Sequence, residues 1–169
     1  MNDSEKKKKK TEFEKLVEKN YKGRTTERIS NGSLEHAKIL VKYLFRLAIE
    51  EKQDVKIMTG SLQADFYDNF SAEAKNLLNQ GNRISVISLC QPKCGRFFDA
   101  VKENPRGSIA IAGEKMESIP HFVLVGNSAY RLETDDYRKS AIGVFNNTDV
   151  GSFLAEMFDE TQNEIQQVA

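Results

Sequence analysis

The chain has few of the residues that make function legible at a glance. Its 169 residues include two cysteines and two histidines, too few for a tetrahedral zinc site unless all four converge or carboxylates join them. It has no excess charge of either sign, with 25 Lys plus Arg against 25 Asp plus Glu. That excludes a chain-wide polycation built to coat nucleic acid, and equally an acidic mimic of one. No stretch approaches the roughly 20 apolar residues of a membrane span. The first residues are polar and charged with no apolar run behind them, which is not a secretory-signal pattern. Walker, dinucleotide-binding and nucleophile-elbow motifs are missing too. The expectation is a cytoplasmic protein with neither metal nor cofactor and no membrane partner.

What is present is unevenly placed. Residues 1–25 carry nine basic and five acidic groups, residues 26–113 twelve and ten, and residues 114–169 four and ten. The run Lys6, Lys7, Lys8, Lys9 and Lys10 has no apolar neighbour to bury, so residues 1–10 are predicted to be a disordered basic tail. Its functional counterpart is an electrostatic arm for nucleic acid or an acidic partner. Residues 11–169 are predicted to form one domain.

Thr11 and Glu14 form a capping box ahead of a short amphipathic helix to about Asn20. Residues 22–32 read as loop. Ser33 caps a longer helix to about Glu51, with Ile39, Leu40, Tyr43, Leu44 and Leu47 on its buried face and Lys38, Lys42 and Arg46 as a charged stripe. His36 sits on the apolar side as a packing residue. Val55–Thr59 and Ile84–Leu89 read as strands. Between them Ser71 caps a helix that stops at Gly81. A short helix over residues 96–103 leads to a third strand over 108–112. Residues 121–125, 129–133 and 141–146 read as consecutive strands, and a final helix starts near Thr148. The sum is α/β: a mixed parallel and antiparallel sheet flanked by helices. Cys90 and Cys94 read as reduced thiols in a loop.

This order, with His121-Phe-Val-Leu-Val, Ala129-Tyr-Arg-Leu-Glu and Ala141-Ile-Gly-Val-Phe-Asn-Asn, resembles one repeat of the phospholipase D superfamily over about residues 33–160. The resemblance implies the pattern H-x-K, an acid five residues beyond the Lys, and a later Gly-Ser followed by Asn. Two such motifs meet at a twofold axis; one His attacks phosphorus, the other protonates the leaving group, and Lys and Asn hold the phosphate. Here His121 takes the His position, Val123 the Lys position and Ser128 the acid position. Asn146 or Asn147 matches the later Asn, and no Gly-Ser pair sits at the expected distance.

The hairpin register decides whether acid–base chemistry is available. A two-residue turn sets Val123 opposite Tyr130 and His121 opposite Leu132. A three-residue loop sets Val123 opposite Arg131 and His121 opposite Glu133, supplying a guanidinium near the vacant Lys position and a carboxylate to orient the imidazole. Two main functions follow from the resemblance. One is a non-catalytic binding or assembly module, homodimeric through the His121 face, contacting nucleic acid or a protein; stand-alone relatives often occur in bacterial antiviral defence or regulation. The other is a phosphodiesterase, a nuclease in particular, with a composite site of His121 from each protomer aided by Asn146, Arg131 and Glu133. A small-molecule sensor using the vacated cleft is the third.

Overall fold

The structure is a computed structural model, and it describes residues 9–135 and 140–167. Thr11 accepts the amide hydrogen of Glu14 at 3.1 Å and so starts α1 (Glu12–Gly23), as the capping box predicts. Arg24 ends that helix in the left-handed region at φ 48°. The next segment departs from the loop predicted for residues 22–32. It contains the end of α1 and a short strand, β1 (Ile29–Asn31), too brief to show a pattern in sequence. Ser33 Oγ then accepts from the His36 amide at 3.2 Å and opens α2 (Leu34–Glu51). This helix buries Leu40, Val41, Leu44, Phe45 and Ala48, so its apolar band is wider than one stripe.

The strands β2 (Val55–Thr59), β3 (Ile84–Ser88) and β4 (Gly107–Ile111) run parallel to one another. Parallel neighbours need crossovers. The first is α3 (Ala64–Tyr67), a tight turn at Asp68–Phe70 and α4 (Ser71–Asn79). The second is α5 (Arg96–Lys102). Ser71 is the first residue of α4 and not its cap; the preceding turn runs straight into the helix, and the Ser71 hydroxyl donates to Asp68 O at 2.9 Å. Gly81 does adopt the left-handed conformation beyond the helix end, at φ 95°.

The chain then returns to the other side of β2. There β5 (Phe122–Val125), β6 (Ala129–Asp135) and β7 (Ser140–Val144) form an antiparallel meander. The final helix is α6 (Thr148–Gln167). Among the described residues the sheet has seven strands in the order β1-β7-β6-β5-β2-β3-β4. One face packs on α1, α2, α4 and α5 through Leu40, Leu44, Phe45, Leu77 and Phe97. The opposite face carries Met58, Ile87, Leu124 and Tyr130 and is covered by Leu154 and Phe158 of α6. The result is the mixed α/β sheet predicted from sequence. No helix among the described residues is long and apolar enough to cross a membrane.

Candidate functional site

Val125 pairs with Ala129, so Gly126, Asn127 and Ser128 form a three-residue loop, with Gly126 at φ 57°. Of the two registers open in sequence, this is the one that sets Val123 opposite Arg131. The Glu133 amide donates to His121 O at 3.0 Å, which brings those two residues level just ahead of β5.

Their side chains meet. His121 Nδ1 lies 2.9 Å from Glu133 Oε2. Arg131 Nη1 donates to the other carboxylate oxygen at 3.3 Å, and Arg131 Nε donates to Asn31 Oδ1 at 3.2 Å. Asn31 Nδ2 in turn donates to the Ala141 carbonyl at 3.0 Å, tying β1 to β7. The Arg131 guanidinium is thus engaged at two sites, and the residue is only 8 % exposed. The hydrogen bond from His121, together with Arg131, holds the Glu133 carboxyl below its ordinary range against the upward pull of burial. On the other side of the imidazole lies Gly60, at the end of β2. A Cβ there would sit 2.9 Å from His121 Nε2, so a residue without one is required for the ring to pack as it does.

These groups line one side of a cavity of about 480 Å³, whose other walls include Ser33 and Leu34 at the start of α2, Thr59, Ser61 and Tyr67. That is a volume typical of small-molecule sites. Burial pushes the Tyr67 phenol up to about 12, so it remains protonated throughout the physiological range. Val123, which the family resemblance sets at the Lys position, is 3 % exposed and belongs to the apolar core.

The other residues singled out in sequence lie elsewhere. Asn146 is exposed beyond the end of β7. Glu133 pairs with Ala141, five residues earlier, and at about 3.3 Å per strand residue that puts Asn146 roughly 16 Å along the sheet. Asn147 Oδ1 accepts from the Val150 amide at 3.2 Å, a cap for α6. Lys6, Lys7 and Lys8 fall outside the described residues. Lys9 is exposed, and Lys10 pairs with Glu18 at 2.7 Å. The stripe on α2 is largely compensated: Lys38 pairs with Glu35, Lys42 with Glu14, and Arg46 lies over the Tyr43 ring. His36 stacks on Phe13 with ring centroids 3.7 Å apart. Cys90 and Cys94 are exposed free thiols. No group of three or more metal-ligating side chains occurs among the described residues. The member of the cluster that sequence reasoning missed is Asn31, since nothing in a three-residue strand announces a partner 100 residues away.

No family model matches the chain, and no curated protein matches it in sequence. Solved structures do match it in shape. One is Nuc, a phospholipase D family member from Salmonella typhimurium, at 14% identity and a TM-score of 0.50, covering 81% of this chain and 95% of Nuc. The fold is phospholipase D-like. A second match is TrmBL2, an archaeal chromatin protein described as showing a novel mode of DNA binding, at 11% identity and a TM-score of 0.56. It covers 89% of this chain, which spans 59% of TrmBL2. In this chain Val123 is buried and the Arg131 guanidinium is shared with the Glu133 carboxylate.

Proposed function

We propose that this chain is a non-catalytic phospholipase D-like binding module that acts as a homodimer and contacts nucleic acid. The observation that carries the proposal is the interlock of Arg131, Glu133 and Asn31 beside Val123. Phosphodiester cleavage needs a cation free to take up developing charge, a contribution often worth about 3 kcal/mol or more. Here the nearest guanidinium is already neutralised by Glu133, and an incoming phosphate would meet that carboxylate as well. The surface charge agrees: residues 114–169 hold ten acidic groups against four basic ones. Nucleic acid is favoured over a protein partner by the lysine run at residues 6–10 and by the shared fold of a DNA-binding chromatin protein. The test pairs two assays on the full chain. Duplex DNA should bind with an affinity that falls steeply with salt, while a chromogenic phosphodiester and plasmid DNA remain uncleaved. Cleavage that His121→Ala abolishes would overturn the proposal.

One observation favours a second reading, a phosphodiesterase with a composite site. The 2.9 Å contact of His121 with Glu133 is a base oriented by a carboxylate. That reading requires the His121 faces of two protomers to meet around one phosphorus.

A further inference from the structure

The two outer edges of the sheet are built differently. β1 is only three residues long, and a short edge strand offers little for another chain to pair with. β4 is five residues long, and its sequence Gly-Ser-Ile-Ala-Ile has neither charge nor proline. Its pairing with β3 runs without a bulge. Natural sheets normally protect such an edge.

The phase of its hydrogen bonds is fixed at both ends. The Ile84 amide donates to Arg106 O at 3.2 Å, and the Ala112 amide donates to Ser88 O at 2.9 Å. Alternate residues of a parallel strand face the neighbour. Arg106, Ser108, Ala110 and Ala112 therefore direct their backbone groups to β3. Ile109 and Ile111 direct theirs outward, where no strand among the described residues pairs with them. The shoulders of this edge are apolar. Ile109 and Phe98 are half-buried against the larger core cluster on one face, and Ala110 against the smaller cluster on the other.

We propose that a second copy of the chain docks here, β4 against β4, antiparallel about a twofold axis at Ala110. With the axis there, Ile109 of each copy lies opposite Ile111 of the other, and these are the residues whose N–H and C=O groups point outward. Each such pair exchanges two hydrogen bonds. Ala110 then faces its own counterpart in the close, non-hydrogen-bonded position, where Cα atoms approach to about 4.5 Å and a methyl group fits. Charge also matches. Arg106 is exposed at one end of the strand and Glu114 just past the other. Glu114 lies in the turn that follows the strand, and the axis brings it to the same end of the joined edge as Arg106 of the second copy. Closed twofold pairing is also the commonest solution for a homo-oligomer.

The inference rests on the homodimeric reading above and names its interface, moving it away from the His121 face expected from the family resemblance. It has a consequence for the chemistry. β5, which His121 precedes, is separated from β4 by β2 and β3. In the joined sheet the two β5 strands stand about 34 Å apart, at about 4.8 Å per strand spacing. Two imidazoles at that separation cannot flank one phosphorus, so edge docking excludes the composite site.

Light scattering of the full chain at micromolar concentration should give a dimer. Ile109→Pro removes the outward amide and leaves the β3–β4 ladder intact, because that amide does not face β3. It should raise the dimer dissociation constant roughly tenfold or more with an unchanged circular dichroism spectrum, since two intermolecular hydrogen bonds are lost per dimer. If Ile109→Pro does not fold, Glu114→Arg should weaken the dimer severalfold and Arg106→Glu added to it should restore the dimer. A wild-type monomer, or a dimer indifferent to both the proline and the charge reversal, would overturn the interface. Phosphodiester turnover is a separate readout: its appearance sinks the binding-module reading whatever the light scattering gives.

Discussion

Arg131 is the residue on which the candidate site turns. It donates to Asn31 and to Glu133 at once, which a planar fork can do and an ammonium group cannot do in the same geometry. Arg131→Met leaves the Glu133 carboxylate half-buried with one partner fewer, and is expected to cost about 2–3 kcal/mol in urea unfolding, less than a fully buried pair because Glu133 retains some solvent contact. Arg131→Lys should recover only part of that loss. Glu133 also sets a pH dependence. Its folded carboxyl titrates below its ordinary value of 4.5, so its contribution is fully present above that value and is lost as pH falls through the lower folded value. Glu133→Gln should flatten the acid limb of a stability–pH curve over that interval. Gly60→Ala would crowd the imidazole; a shift in the His121 ring resonances measured by NMR is the expected signature, with unfolding energetics changed by about 1–2 kcal/mol.

Among the elements, β1 and β4 illustrate how much a short strand depends on its neighbours. β1 is held to β7 by three paired positions and by the Asn31 side chain. Asn31→Ala removes both side-chain hydrogen bonds and should destabilise by about 1–2 kcal/mol. Faster amide exchange confined to Ile29–Asn31 would show that the loss is local. β4 leaves α5 so tightly that a Cβ at Gly107 would lie 1.9 Å from Val101 O, a contact with rigid backbone. Gly107→Ala should therefore cost upwards of about 3 kcal/mol and displace the strand whose outer edge is proposed to pair. Chemical denaturation separates that from Ile109→Pro, whose cost to the monomer is limited to the packing of the half-buried Ile109 side chain and is expected to be smaller. The elements themselves were readable: the capping residues Thr11 and Ser33 and the apolar pattern of α2 give their start points directly. β1 was not, because three residues carry no period.

For the whole molecule the balance of charge matters more than its total. Ion pairs such as Lys10–Glu18, Lys42–Glu14 and Arg24–Glu51 compensate much of the face made by α1 and α2. The lysines ahead of Lys10 are the densest remaining run of positive charge in the sequence. Deleting residues 1–10 should weaken DNA binding and lower the slope of log affinity against log salt by about 0.9 for each phosphate contact removed. An unchanged slope would show that another surface meets the nucleic acid. The fold likeness to Nuc and to TrmBL2 fixes the frame in which that surface sits and leaves its ligand to experiment.

Periodicity, capping and the order of elements were enough, from the sequence alone, to determine a mixed α/β sheet and the resemblance to the phospholipase D superfamily. The site was not determined in that way. A hairpin around Gly126-Asn127 allows a two- or a three-residue loop, and shifting the register changes which side chain faces His121. The choice is made by packing on either side of the hairpin. Val123 pairs with Ile57 of β2 on one flank, and α6 closes on the loop so tightly that a Cβ at Gly151 would lie 2.0 Å from Asn127 O. Those contacts join segments far apart in the chain, and only the tertiary structure brings Arg131, Glu133, His121 and Asn31 together.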